Sequence, residues 1–232
     1  MTDARPPTPL EMLDVLASEE VVMAPGLRHV EVYTARGLLT VLWHGGPARR
    51  AIVACGGAMG GLLGPAHGMY QRMGVEWAEQ GIATLRVSYR QPNDLDACCI
   101  DAAAAVQLAV GEDAERVVVM GHSFGGAVAV RVGVALPTMV AGVVTFATQS
   151  AGCEVAGGLA PRPLLMFHGE RDAILPVEAS QVVRQIAGAG ELIVLPNDGH
   201  PLSRSGDIME ERLREWLPSV LGPHEERVEP VG

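Results

Sequence analysis

The 232-residue chain is 48% hydrophobic and 19% charged, with a net charge of −10. That composition is globular rather than disordered, and the acidic balance argues against nucleic acid or an anionic membrane as partner, since both attract basic surfaces. The length suits one α/β domain, taken here as residues 1–232.

The N-terminal stretch MTDARPPTPLEMLDVLASEE has no basic start and no apolar run of signal-peptide length, and no later segment reaches the length of a membrane span. The expectation is a cytoplasmic protein. The four cysteines, with no CxxC pair, fit that expectation as small core residues. Thr8-Pro9-Leu10-Glu11 has the form of a capping box with proline at the first helical position. It predicts a short helix over 9–18, within an N-terminal extension of residues 1–25. HVEVYTA (29–35) alternates apolar and polar residues, and GLLTVLWHG (37–45) follows a tight turn, so the two read as a hairpin.

From residue 50 strands and helices alternate. AIVAC (51–55), GIATLRVSY (81–89), RVVVMG (116–121), VAGVVTFA (140–147), PLLMFHG (163–169) and ELIVLP (191–196) are short apolar runs suited to strands covered on both faces. Helical patterns occupy 68–80, 94–110, 124–136, 177–187 and 206–221. Such alternation means a largely parallel sheet wrapped by helices. The tail, 222–232, is polar and expected to be flexible.

The chemistry centres on VVVMGHSFGGAVAV (117–130), a strand that breaks into Gly-His-Ser-Phe-Gly and turns at once into a helix. That is the setting of a nucleophile elbow: a serine at a sharp turn projects above the sheet edge, and glycines at 121, 125 and 126 let strand and helix pack closely. A serine needs a base, and the base an orienting acid. Downstream, HGERDAILP holds Asp172 after one strand and NDGH holds His200 after the next, both at the strands' carboxyl edge. Ser123, Asp172 and His200 are therefore the candidate triad. Glu170 and Asp198 compete with Asp172 as the acid. Asp198, two residues from His200, suits a hydrogen bond within its own loop. His122 and His168 read as structural histidines.

An oxyanion needs two donors. One is assigned to the N–H of Phe124, directly after the nucleophile. The other is assigned to Ala58 in CGGAMGGLLGPAHG (55–68), a loop with six glycines in fourteen residues, with Met59 as the next choice. No GxGxxG or GK[ST] accompanies that loop, so it does not read as a phosphate cradle.

With GHSFGG (121–126), HGERDAILP (168–176) and DGH (198–200) in this alternation, nearly the whole chain resembles the α/β-hydrolase superfamily. Its size resembles the small lidless branch of dienelactone hydrolase-like enzymes and carboxylesterases. The resemblance implies an eight-stranded, mostly parallel sheet with the second strand antiparallel, helices on both faces, an acyl-serine intermediate, and neither metal nor cofactor. Dienelactone hydrolases use a cysteine nucleophile, whereas this chain has Ser123, and many relatives carry His-Gly where it has Cys55-Gly56-Gly57. Residues 148–162 are too few for a cap domain, so an open site is expected. Its apolar rim is assigned to Met59, Leu62, Leu63, His67, Gln149, Ile174, Leu175 and Leu202. The expected function is cleavage of a small-molecule carboxylic ester. Thioester or peptide cleavage, and a non-catalytic binding module, are the alternatives, and the oligomeric state is left open.

Overall fold

A computed structural model describes residues 5–222 of the chain. Its strands are β1 (Val15–Ala24), β2 (Leu27–Thr34), β3 (Gly37–His44), β4 (Arg50–Cys55), β5 (Ile82–Ser88), β6 (Arg116–His122), β7 (Val140–Phe146), β8 (Leu164–Gly169) and β9 (Glu191–Leu195). Its helices are α1 (Pro9–Met12), α2 (Pro65–Glu79), α3 (Leu95–Gly111), α4 (Phe124–Ala135), α5 (Glu178–Ala187) and α6 (Gly206–Leu221). The strands form one sheet in the order β1-β2-β3-β5-β4-β6-β7-β8-β9.

The apolar strands read as they do because both faces are covered. Val117 and Val119 of β6 enter one apolar layer with α3, α4 and α5. Val118 and Met120 enter the opposite layer with α2 and α6. β4 divides the same way, with Ala51, Val53 and Cys55 on one side and Ile52 and Ala54 on the other. Parallel pairing runs from β5 through β4, β6, β7 and β8 to β9. The chain leaves β4 for β5 on one side and returns to β6 on the other, so the sheet's switch point lies at the carboxyl ends of β4 and β6. Crevices at such points receive ligands in open α/β sheets.

The front of the chain departs from expectation twice. The sheet has nine strands, not eight, and the helix expected over 9–18 stops at Met12. The capping box does form: the Thr8 hydroxyl accepts from the Glu11 N–H, and the Glu11 carboxylate accepts from the Thr8 N–H. Asp14 then takes a φ of 51° and the chain turns into β1, antiparallel to β2. Helix-favouring residues at 15–20 are overridden by ladder hydrogen bonds to β2, which a four-residue helix cannot match. β3 runs antiparallel to β5, as expected of the second strand in the resemblance. β1 is exposed along its whole length, leaving Leu16, Val21, Val22 and Met23 at the surface with Glu19 and Glu20 between them. Of the tail expected to be flexible, 223–232 lie outside the described residues.

Beyond β5, Arg90 ties the sheet edge to α3. Its Nε donates to Asp101 Oδ1 at 2.5 Å and its backbone N–H to Oδ2 at 2.8 Å, with both side chains almost fully buried. Removing one partner of such a pair leaves an uncompensated charge indoors. Asp101→Ala is therefore expected to cost about 3–5 kcal/mol, read as a lowered midpoint in urea unfolding.

Candidate active site

The site begins with a steric demand. A Cβ at Gly121 would lie 1.8 Å from the Gly125 carbonyl oxygen, and one at Gly125 would lie 2.3 Å from that of Gly56. A Cβ at Gly126 would meet Thr148 Oγ1 at 2.2 Å. Only glycines let α4 seat this closely on β6 and the end of β4. The turn between them puts Ser123 at φ 58°, ψ −120°, a conformation that costs a non-glycine residue about 1–3 kcal/mol. Its N–H donates to the Phe146 carbonyl at 2.8 Å, and the Gly126 N–H donates to its carbonyl at 2.9 Å.

The three residues singled out in the sequence meet. Ser123 Oγ lies 2.9 Å from His200 Nε2, and His200 Nδ1 lies 2.7 Å from Asp172 Oδ2. With the proton on Nδ1 donated to Asp172, Nε2 is free to accept from the serine hydroxyl. Asp172 Oδ1 accepts from the N–H groups of Ile174 (2.8 Å) and Leu175 (2.9 Å). Burial raises the Asp172 pKa, but the Leu175 N–H, His200 and the Ile174 N–H outweigh it, and the net shift is downward. The carboxylate thus stays charged to orient the imidazole.

The rival acids are engaged elsewhere. Asp198 accepts from the N–H groups of Gly199 and Arg204, shaping the histidine loop, and Glu170 accepts from the Asn197 N–H. His168 is fully buried beneath the acid loop. Its Nε2 lies 2.9 Å from the Leu175 carbonyl, to which it donates, and 3.4 Å from Asp172 Oδ2, while Nδ1 accepts from the Ser180 hydroxyl at 2.7 Å. It holds the loop that presents the acid.

His122 does more than the sequence conveyed. Its Nε2 donates to the His200 carbonyl at 2.9 Å, and the two ring centroids are 4.9 Å apart. The residue before Ser123 therefore grips His200. Burial pushes its pKa down, more than the hydrogen bond to the His200 carbonyl and the Asp172 charge offset, which favours the neutral ring.

Phe124 opens α4, and Ala58 sits in the turn closed by the Gly60 N–H donating to the Gly57 carbonyl at 2.9 Å. Among the described residues, the N–H groups of Phe124 and Ala58 donate no hydrogen bond. A Cβ at Gly57 would come within 3.9 Å of Ser123 Cβ, so the turn leans on Ser123. The glycine-rich loop is also pinned to the histidine loop, because the Ala66 N–H donates to the Pro201 carbonyl at 2.9 Å. Among the described residues, no group of three or more His, Cys, Asp or Glu could hold a metal ion. No helix there is long and apolar enough to cross a membrane.

The model of the dienelactone hydrolase family matches residues 58–206, more than half of the chain. The chain belongs to the dienelactone hydrolase family. Solved structures of similar fold include Est1E from Butyrivibrio proteoclasticus, at 15% identity and TM-score 0.71, covering 82% of this chain and 98% of that one. A dienelactone hydrolase from Anabaena variabilis has 15% identity and TM-score 0.69, covering 88% and 99%. XC6422 from Xanthomonas campestris, described as a serine hydrolase without lid, has 17% identity and TM-score 0.65, covering 85% and 98%. Among curated proteins, the uncharacterized YfhR of Escherichia coli K12 is 26% identical over 135 residues, 47% of this chain and 48% of YfhR. The chain spans about half the length of the curated relatives it matches.

As in that lidless neighbour, no large cap follows β7 in this family member; a short 3-10 turn (Ala156–Leu159) leads to β8. The rim assignments divide. Met59, Leu63 and Ile174 are 92%, 62% and 69% exposed, on the glycine-rich and acid loops that flank the triad. Leu62 and Leu175 are half-buried, and Gln149 turns its amide back onto the Ala151 carbonyl. Two assignments are corrected. Leu202 is fully buried in the layer of α2 and α6, drawn inward by the turn after Pro201. His67 lies in a left-handed turn at Ala66, His67 and Gly68. It lines a cleft with Arg72, Ser203, Arg204 and Asp207, which contains no triad residue.

Two substitutions test the wiring. Asp172→Asn should lower kcat by about 10³–10⁴ in a steady-state assay, because Nδ1 loses its ionic acceptor. The depressed carboxyl stabilises the fold above its unfolded value and loses that contribution as pH falls through the folded one, so the variant's thermal deficit at pH 7 should shrink below about pH 4. His122→Phe keeps the ring but not the donor. It should cost about 5–10-fold in kcat, the equivalent of one hydrogen bond, with little change in circular dichroism.

Proposed function

We propose that this dienelactone hydrolase family member is a serine hydrolase that cleaves carboxylic esters of small molecules. The observation that carries the reading is the unbroken hydrogen-bonded line Ser123–His200–Asp172, standing beside two unengaged backbone donors. In this reading Ser123 Oγ attacks the ester carbonyl while His200 Nε2 takes the hydroxyl proton. The N–H groups of Phe124 and Ala58 hold the oxyanion. Collapse of the tetrahedral adduct expels the alcohol, which leaves with the proton from His200. Water then repeats the sequence on the acyl-serine and releases the acid. Asp172 stabilises the imidazolium formed on the way.

The exposed apolar side chains of Met59, Leu63 and Ile174 suit an acyl group lying in an open groove. Ferulic acid is bound to the fold neighbour Est1E, so aromatic acyl groups belong among the candidates. The same machinery would accept a thioester, whose better leaving group asks less of the general acid, and an anilide, which asks more.

A fluorophosphonate probe should label the protein at Ser123, and Ser123→Ala should abolish labelling and lower turnover by about 10⁴–10⁶-fold. A panel of p-nitrophenyl esters from acetate to octanoate, with a thiophenyl ester and an anilide beside it, should show ester cleavage at least tenfold above anilide. A folded protein that neither labels nor turns over any of them would refute the proposal.

A further inference from the structure

Arg86 lies on β5, beside Ala54 of β4, on the face covered by α2. It is 2% exposed, and among the described residues no carboxylate comes within ion-pair distance of it. Its Nε is buried without a partner. Nearby on the paired strands, His44 Nε2 and Thr84 Oγ1 are also buried and unpartnered, and His44 is driven down to about 4 by burial and then by the Arg86 charge. An isolated cation is costly to bury, and among the described residues no carboxylate offsets the cost. A hydrophobic side chain would serve the packing better.

Among the described residues, the one side-chain hydrogen bond Arg86 makes explains its place. Nη1 donates to the Leu62 carbonyl at 3.2 Å. Leu62 follows Gly60 and Gly61, whose carbonyls lie against Gly56 so closely that a Cβ there would be 2.8 Å and 2.2 Å from them. Gly57 and Gly60 then close the turn that carries Ala58. The contacts form a chain from guanidinium to Leu62, to the paired glycines, to the donor beside Ser123. We propose that Arg86 is a positioning residue that holds the glycine-rich loop so that the Ala58 N–H stays aimed at the oxyanion. This inference rests on the serine hydrolase reading and extends it to a residue that does not touch substrate.

The test compares Arg86→Met and Arg86→Lys with the wild type, using kcat per serine titrated to completion with a fluorophosphonate. Arg86→Met is expected to lose about 10–100-fold in kcat, short of the 10²–10³ that follows removal of an oxyanion donor. KM should stay within about threefold, and affinity for a phenylboronic acid, a tetrahedral mimic, should fall in parallel with kcat. Melting temperature should not fall, since the substitution removes a desolvated charge. Arg86→Lys, which keeps a charged donor, should recover part of the loss. Should Arg86→Met not fold, Arg86→Lys carries the test, with faster hydrogen exchange at residues 57–63 expected beside reduced turnover. Turnover per titrated serine equal to wild type, or a loss confined to KM, would overturn the proposal. A wild type that takes no fluorophosphonate would instead sink the hydrolase reading beneath it.

Discussion

Everything about this site follows from backbone pressed on backbone. At Gly121, Gly125 and Gly56, main-chain oxygens come so near the Cα atoms that no side chain fits. That contact draws α4 down onto the sheet and leaves the chain one way to turn between β6 and α4, with Ser123 at positive φ. The strain held there is local, but its support is broad. The Phe146 carbonyl at the end of β7 and the first turn of α4 fix Ser123 from two sides. The Ser123 hydroxyl is held in one orientation as a result, which is what the proposed nucleophilic role requires.

Around that hydroxyl, two loops from different strands are each held by histidines and carboxylates that take no part in the bond-making proposed here. His168 supports the acid loop from below, Asp198 closes the histidine loop, and His122 links the elbow to the base. These are neutral or short-range hydrogen bonds in buried surroundings, where each is stronger than in water and expensive to leave unmade. The chemistry proposed for this chain thus leans on a shell of polar contacts as much as on three residues.

The parallel strands were legible in the sequence because burial on both faces leaves unbroken apolar runs, as in VVVM of β6 and AIVAC of β4. The meeting of Ser123, His200 and Asp172 was legible because they follow the ends of such strands in the expected order, and their contact is a consequence of strand placement. β1 was not legible, since Glu19 and Glu20 interrupt any alternation and the residues before them favour helix. Only the ladder with β2 decides the matter, and that is a tertiary contact. Leu202 looked like a rim residue from its position two after His200, yet a turn with φ 54° sends it into the core. The carbonyl grips of His122 and Arg86 carry no sequence signature at all, because a backbone oxygen is an acceptor at every position.

The exposed first strand has a consequence for how copies of the chain meet in crowded solution. A ten-residue border with open amide and carbonyl groups and surface Leu16, Val21, Val22 and Met23 would ordinarily invite a neighbour to zip alongside. Glu19 and Glu20 occupy its midpoint, so a centred antiparallel approach by an identical border would set like charges face to face. Charge at that midpoint, Glu20 being shared with Arg28, thus weighs against self-pairing of the sheet's outer margin.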